Sequence, residues 1–183
     1  MSGYDYSRLT CLVAEDSTFI RSLIISCLNA MGVSQIKVAN HGGEAIDWLK
    51  LTKTDPMKAG ILSIDLIISD WEMSPVDGMM LLRWVRRHAD SPNRFIPFVM
   101  LTSHSDLKHV QEARDMGAHE VMGKPFSVKA LAQKIGGIVE HNRQFVHTKD
   151  YFGPDRRRRN EGFGVQDRRE LTDKSPGVEI VNG

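Results

Sequence analysis

The sequence lacks the features that mark disulfide-bonded, membrane-spanning or strongly charged proteins. Only two of its 183 residues are cysteines, Cys11 and Cys27, and they form neither a CxxC pair nor a zinc-binding spacing. No apolar run approaches the ~18 residues that a membrane helix needs, and the N-terminus has no basic stretch followed by an apolar core. The net charge of +1 does not favour general electrostatic binding to nucleic acid or to a membrane surface. We therefore expect a cytoplasmic protein whose cysteines are reduced and packed in its core.

Short apolar runs alternate with amphipathic segments through the first three quarters of the chain. Each run has the length of a strand, and apolar residues at helical spacing follow it; the runs are 9–14, 35–39, 66–69, 95–101 and 119–123. Strands that alternate with helices of about ten or more residues indicate βαβ units and a parallel sheet. The sequence therefore predicts an α/β fold with a five-stranded, doubly wound parallel sheet. Residues 52–61 are expected to form a loop.

The apolar pattern of two predicted helices indicates which of their side chains are exposed and which are buried. The helix over 79–88 should present Arg83, Arg86 and Arg87 to solvent, because its apolar positions lie on the opposite side. The last helix, capped by Ser127, should bury an apolar stripe made of Val128, Leu131, Ile135, Ile138 and Val139.

Chemically active side chains follow four of the predicted strands: Glu15 and Asp16, then Asp70, then Thr102, then Lys124. Because the carboxyl ends of parallel strands meet at one edge of a sheet, we expect them to converge there. Three converging carboxylates repel each other unless a cation lies between them, and their oxygens suit Mg²⁺. The hydroxyl and the ammonium suit a phosphoryl group, with the central carboxylate as its nucleophile. The alternative is that each strand merely ends in a polar residue.

Residues 9–140 resemble the receiver domain of two-component response regulators, of the single-domain CheY-like kind. The resemblance is carried by Glu15-Asp16, Arg21, Asp70, Asp77-Gly78, Thr102-Ser103 and Lys124-Pro125. It implies that Asp70 is the phospho-acceptor and that a histidine kinase phosphorylates it. It also implies a Mg²⁺ site made of Glu15, Asp16, Asp70 and the backbone carbonyl of Glu72.

The resemblance has further implications for the switch and the output. Thr102, Ser103 and Lys124 would contact the phosphoryl group, and the bond between Lys124 and Pro125 would be cis, as is usual in the family. Output would pass through the face made by the fourth helix, fifth strand and fifth helix of the receiver. One departure is Val121, which stands where receivers usually carry an aromatic residue. We therefore expect that phosphorylation changes the output face less than it does in other receivers, so that a second input signal could act on this protein.

The composition changes after residue 146, so we divide the chain into a receiver domain, 1–146, and a tail, 147–183. The tail has few aliphatic residues and neither a helical nor a strand period, so we expect it to be disordered unless a ligand orders it. It contains a short repeat, YFGPDRRRR at 151–159 and GFGVQDRRE at 162–170. An enzymatic or DNA-binding output domain does not fit into so few residues, and we expect no enzyme activity.

The repeated Asp-Arg-Arg triplet has the chemistry to bind guanine nucleotides. An arginine can donate two hydrogen bonds to guanine O6 and N7, and a carboxylate can accept from its N1 and N2 groups. A second guanidinium can stack on the base or pair with phosphate. Two copies therefore favour a ligand with guanines and phosphates, a cyclic dinucleotide. The alternative is a solvated tail of alternating charges.

The tail also resembles the arginine-rich extension of the Cle proteins, which are CheY-like effectors of cyclic di-GMP (c-di-GMP). The resemblance is carried by Tyr151, Gly153, Pro154, Asp155, Arg156, Arg157, Asp167, Arg168 and Arg169, and we predict that these residues and Arg158 bind c-di-GMP. The second copy departs from the first, with Val165-Gln166 in place of a single proline. The resemblance implies that c-di-GMP orders the tail and that the complex docks on the flagellar motor switch protein FliM.

Three hypotheses about function follow. The leading one is a non-enzymatic c-di-GMP effector that acts at the flagellar motor or pole through a protein contact. The alternative is a conventional receiver controlled only by Asp70, with its tail as a docking arm. A nucleic-acid binder is disfavoured, because the chain is nearly neutral and the receiver edge is acidic.

Overall fold

The computed structural model describes residues 5–103, 107–141, 144–149, 151–155 and 179–181. After a 3-10 turn at Tyr6–Arg8, five strands form the main sheet: β1 Thr10–Ala14, β2 Gln35–Ala39, β3 Leu66–Asp70, β4 Phe98–Thr102 and β5 Glu120–Gly123. The helices are α1 Thr18–Ala30, α2 Gly42–Thr54, α3 Pro56–Ala59, α4 Gly78–Arg87, α5 Leu107–Asp115 and α6 Val128–Glu140. None of the helices among these residues is long and apolar enough to cross a membrane.

The five strands are parallel and lie in the order β2-β1-β3-β4-β5. Every residue of β1, β3 and β4 is buried, because helices cover both faces of the sheet. One core cluster contains Leu49 of α2 and Leu82 of α4, and the other contains Leu28 of α1 and Ile135 of α6. The predicted five-stranded, doubly wound α/β fold is confirmed.

Local signals explain where the helices begin and end. Ser17 and Ser127 cap α1 and α6, each accepting a hydrogen bond from a backbone N–H three residues ahead. Gly32 adopts a φ of 94° after α1, a conformation that favours glycine. Gly78 begins α4 directly against β3, where a Cβ atom would collide with the backbone carbonyl of Asp70. Packing around the end of β3 therefore requires a glycine at position 78, and Asp77 before it caps α4 by accepting from the N–H of Met80.

Two expectations about helices are wrong. Residues 52–61 are not simply a loop, since α2 continues to Thr54 and α3 follows; Pro56 occupies the first turn of α3, and Asp55 accepts from the N–H of Lys58 at 3.1 Å. A helix of four residues is too short to show a periodic pattern. Val128 is 41% exposed, because it lies in the first turn of α6, before the buried stripe begins.

A second, antiparallel sheet follows the receiver. Its strands are β6 Phe145–His147, β7 Phe152–Pro154 and β8 Glu179–Val181, with β6 in the middle. The tail sequence predicts no regular structure, whereas the described tail residues include the strands β7 and β8. Three-residue strands carry no detectable alternation in their sequence; β6 and β7 are placed by aromatic packing, and β8 pairs with β6 through its backbone. We call β6 and β7 together the tail anchor.

Candidate functional site

The carboxyl edge of the main sheet gathers three carboxylates. Glu15 and Asp16 follow β1, Asp70 ends β3, and each offers an oxygen within 4.8 Å of those of the other two. Glu15 and Asp70 are buried, whereas Asp16 is exposed. An exposed ligand beside two buried ones leaves the cluster open to solvent on one side. This convergence agrees with the expectation from the sequence.

Lys124 links two of these carboxylates. Its Nζ donates to Glu15 Oε2 at 2.8 Å and lies 2.9 Å from Asp70 Oδ1. Burial lowers the pKa of Lys124, but the hydrogen bonds and charges of Glu15 and Asp70 outweigh it, so the net shift is upward. Burial raises the pKa of Glu15, an effect that Lys124 partly offsets. Three carboxylates and one ammonium leave two negative charges, and this oxygen-rich cluster fits a Mg²⁺ ion.

The backbone around Asp70 fixes the direction of its carboxylate. The N–H of Trp71 donates to Asp70 Oδ1 at 2.8 Å, so this oxygen is shared with Lys124. The carbonyl oxygen of Trp71 accepts from the N–H of Gly78 at 3.0 Å and closes the turn. These hydrogen bonds thus hold Asp70 and the turn that follows it at the end of β3.

The neighbouring strands supply the remaining predicted site residues. Thr102 ends β4 and is fully buried; its carbonyl oxygen accepts from the N–H of Lys124 at 2.7 Å. Ser103 follows it and is exposed, and so is Glu72. The peptide bond between Lys124 and Pro125 is cis, as the family resemblance implied. Metal binding by the carbonyl of Glu72 stays a prediction.

Residues outside the predicted set also support this edge. Arg21 Nη1 donates to the carbonyl of Glu15 at 2.8 Å and to Asn40 Oδ1 at 2.9 Å, which ties the loop after β1 to the end of β2. The ring of Trp71 lies edge-to-face on His109 of α5, with 5.5 Å between centroids. Val121 is half-buried against the core. The Trp71–His109 contact therefore joins the Asp70 turn to α5, a link that sequence reasoning missed because it depends on tertiary packing.

The tail anchor packs at the opposite, amino edge of the sheet. Phe145 of β6 is buried, and its ring contacts Phe95, Phe152 and His119 at centroid distances of 5.0, 5.3 and 5.4 Å. The guanidinium of Arg94 lies 3.5 Å from the centroid of the Phe152 ring. Phe95 lies three residues before β4 and His119 lies one residue before β5, so the tail begins on the receiver itself.

Arg86 of α4 is a buried cation at this edge, and the expectation that it faces solvent is wrong. Its guanidinium donates to the carbonyls of Gly117, Arg94 and Ile96 at 3.0, 2.9 and 2.8 Å, and lies 5.4 Å from the Phe145 ring. Burial lowers the pKa of Arg86 to about 9. Because this value is still above 7, the guanidinium is charged at neutral pH. The carbonyls that attract it come from loops distant in sequence and leave no mark in the helical pattern. Arg83 and Arg87 are exposed, as predicted.

The first copy of the tail repeat lies partly in the described residues. Tyr151 donates through its hydroxyl to the carbonyl of Pro154 at 2.8 Å, and the N–H of Asp155 donates to the carbonyl of Gln144 at 2.7 Å. Gly153 is in close contact with the tyrosine hydroxyl and with Gly117, so a Cβ atom does not fit there. The other predicted nucleotide-binding residues lie outside the described residues: Arg156, Arg157, Arg158, Asp167, Arg168 and Arg169.

Comparison with known proteins agrees with the geometry at the carboxyl edge. Residues 11–136 match the family model of the response regulator receiver domain. The chain is 30% identical over 131 residues to the chemotaxis protein CheY1 of Helicobacter pylori, an alignment that covers 72% of this chain and 97% of that protein. It is also 30% identical over 128 residues to the chemotaxis protein CheY homolog of Campylobacter jejuni, with 70% and 90% covered.

The solved structures include similar folds. The chemotaxis protein CheY4 of Vibrio cholerae superimposes with a TM-score of 0.56 and 28% sequence identity, over 69% of this chain and 95% of that one. The acidic cluster, Asp70 and Lys124 lie within the part of the chain that the family model matches. The chain therefore belongs to the response regulators and contains their receiver domain.

Proposed function

We propose that this response regulator is a non-enzymatic effector with two inputs, phosphorylation of Asp70 and binding of c-di-GMP by the arginine-rich tail. Its output would be a protein contact with the flagellar motor switch protein FliM. The observation that carries the first input is the Lys124 ammonium, which lies between Glu15 and Asp70. The relatives named above are chemotaxis proteins, which supports the choice of partner.

Phosphoryl transfer to Asp70 uses groups that the fold already positions. The Asp70 carboxylate attacks phosphorus, so that a P–O bond forms while the P–N bond to the histidine of a kinase breaks. Lys124 pairs with the phosphoryl oxygens as a point charge, and the Thr102 hydroxyl donates to one of them. Mg²⁺ held by Glu15, Asp16, Asp70 and the carbonyl of Glu72 would, when bound, offset the negative charge of that group.

The second input rests on the tail. The N–H of Asp155 is bonded to the carbonyl of Gln144, the residue before Phe145 of the aromatic cluster, so the described part of the first repeat copy is held against β6. The carboxylate and guanidinium groups of Asp155, Arg156 and Arg157 suit the edge of a guanine and a phosphate. We expect the complex to act in the cytoplasm and to be recruited to the flagellar motor or pole.

Isothermal titration with c-di-GMP tests this input. We expect binding by the full chain, and we expect Arg156→Ala or Asp155→Ala to weaken it by about 1–3 kcal/mol, with marked sensitivity to salt. Arg83→Ala, which removes an exposed arginine far from the tail in sequence, is the matched control. Equal heats for the full chain and for a chain shortened after His147 would refute nucleotide binding by the tail. Binding of FliM, measured with and without c-di-GMP, tests the output.

The alternative is a receiver controlled only by Asp70, with the tail as a docking arm for a partner. The tail anchor favours it, because contacts within the chain, through Phe145 and Phe152, already set the position of this segment. If acetyl phosphate changed the affinity for FliM while c-di-GMP had no effect, this alternative would replace the first proposal. A shift of oligonucleotides at ~150 mM salt would instead indicate a nucleic-acid ligand.

A further inference from the structure

We propose that two copies of this chain form a dimer through a cleft at the amino edge of the main sheet, with Leu62 of each copy inserted into the cleft of the other. The cleft has a volume of about 610 Å³, and we call it the amino-edge cleft. It lies beside the residues that precede β1, β3 and β4, at the opposite ends of the strands from Asp70. A dimer formed there leaves the phosphorylation site accessible.

The floor of the amino-edge cleft is apolar and comes from separate parts of the chain. Five buried side chains form it: Leu9, Ile64, Ile96, Ile138 and Phe145. Phe145 belongs to the tail anchor, so β6 contributes to the cleft as well as the receiver. Because transfer of an aliphatic side chain from water to an apolar surface is favourable, this floor suits a leucine of a partner.

An apolar side chain stands at the mouth of the same cleft. Leu62 lines the cleft and is nevertheless 86% exposed. Met57, five residues earlier, is 90% exposed. Both belong to the segment that connects α2 to β3. Large apolar side chains that are this exposed, grouped on one segment, indicate a surface that a partner covers.

A second copy of this chain fits that surface because the surface carries both a projecting side chain and a cleft. In a dimer with two-fold symmetry each copy contributes the same surface, so a projecting residue must find its receiving pocket on that surface too. Leu62 and the apolar floor beside it meet this requirement. Two reciprocal insertions would bury both copies of Leu62 and fill both clefts.

The charged residues of the cleft are also complementary to each other. Lys53 and Asp65 both line it. Lys53 Nζ donates to the carbonyl of Ala89 at 3.2 Å and lies 4.0 Å from Asp90 Oδ1, and the Asp65 carboxylate accepts from the N–H of Thr10 at 2.9 Å. A surface with held charges of both signs can attract a rotated copy of itself, whereas a strongly acidic or basic partner would meet a like charge.

Sedimentation velocity of the full chain over a wide range of concentrations tests the inference. We expect a monomer at low and a dimer at high concentration. Leu62→Asp should weaken the association by about tenfold or more, because it places a carboxylate against the apolar floor. Leu107→Asp is the matched control, since Leu107 is 88% exposed at the start of α5, at the other edge of the sheet, and this variant should associate as the wild type does. Lys53→Glu should weaken the association more at low salt than at high salt.

A direct readout shows whether Leu62 enters the cleft. In a mixture of ¹³C-labelled and unlabelled copies, isotope-filtered NOE spectra should connect the Leu62 methyl groups of one copy with Ile138 or Phe145 of the other. A chain that stays monomeric at the highest concentration overturns the inference. So does a dimer that Leu62→Asp leaves intact, and loss of the dimer in Leu107→Asp alone would place the contact at the carboxyl edge. The proposed function stands in each of these cases, because nucleotide binding and phosphorylation are measured separately.

Discussion

Lys124, which is half-buried, and Arg86, which is fully buried, are cations at opposite edges of one sheet, but they meet different kinds of partner. Lys124 pairs with two carboxylates, Glu15 and Asp70. Arg86 donates to three backbone carbonyls, and an aromatic ring covers it. Phosphorylation of Asp70, as proposed, would change the charge beside the lysine, whereas the backbone carbonyls around Arg86 keep theirs. The carboxyl edge therefore has partners whose charge can change, and the amino edge has partners whose charge is fixed.

The largest effect on phosphorylation is expected from Asp70→Asn, which removes the proposed nucleophile at the carboxyl edge of the sheet. An amide does not form the acyl phosphate, so incorporation of phosphate from acetyl phosphate should fall to background. Asp47→Asn, on the exposed face of α2, is the control and should be phosphorylated normally. Intact-mass spectrometry measures both, and phosphorylation of Asp70→Asn at the same site would contradict the assignment.

At the amino edge, Arg86→Met should lower the unfolding free energy by about 3 kcal/mol or more, because it leaves three backbone carbonyls without their hydrogen-bond donor. Urea denaturation measures this loss. Arg87→Ala, one residue along and exposed, should stay within about 0.5 kcal/mol of the wild type. Equal midpoints for the two variants would mean that Arg86 does not hold this edge, and the comparison with Lys124 would fail.

A smaller effect is expected from Phe152→Leu, which shortens the aromatic contact between the tail anchor and Phe95 and Phe145. Phe152 is only half-buried, so the loss of unfolding free energy should be about 1 kcal/mol. Amide hydrogen exchange in 144–155 should accelerate, while exchange in β3 should not change. Faster exchange in β3 as well would show that the two edges do not behave separately.

The smallest effect concerns pH. The pKa of Lys124 in the folded protein lies above its ordinary value of 10.5, so its stabilisation is complete below 10.5 and is lost as pH rises through the higher folded-state value. Lys124→Met should therefore show a shallower loss of stability at alkaline pH than the wild type. Lys129→Met, which removes an exposed lysine, is the control, and an identical profile for Lys124→Met would refute the pairing.

The two edges also differ in how far the sequence predicted them. Asp70 and Lys124 could be found because each follows a buried strand directly, and a parallel sheet brings such positions together. Arg86 could not, since its acceptors Gly117 and Ile96 lie 31 and 10 residues away and are backbone atoms without a side-chain signature. The same limit applies to the Trp71–His109 contact, where two aromatic residues meet only after the helices have packed. Patterns local to an element were readable, and contacts between loops were not.

Strand β4 joins the two edges, and its length has a consequence for signalling. Its five residues span about 16 Å at ~3.3 Å per residue, from the loop of Arg94 and Phe95 to Thr102. If the tail binds a nucleotide and Asp70 is phosphorylated, as proposed, the two groups would therefore lie too far apart to touch. Any coupling between the two inputs must be reciprocal. If phosphorylation raised the affinity for the nucleotide by some factor, nucleotide binding would favour the phosphorylated form by the same factor.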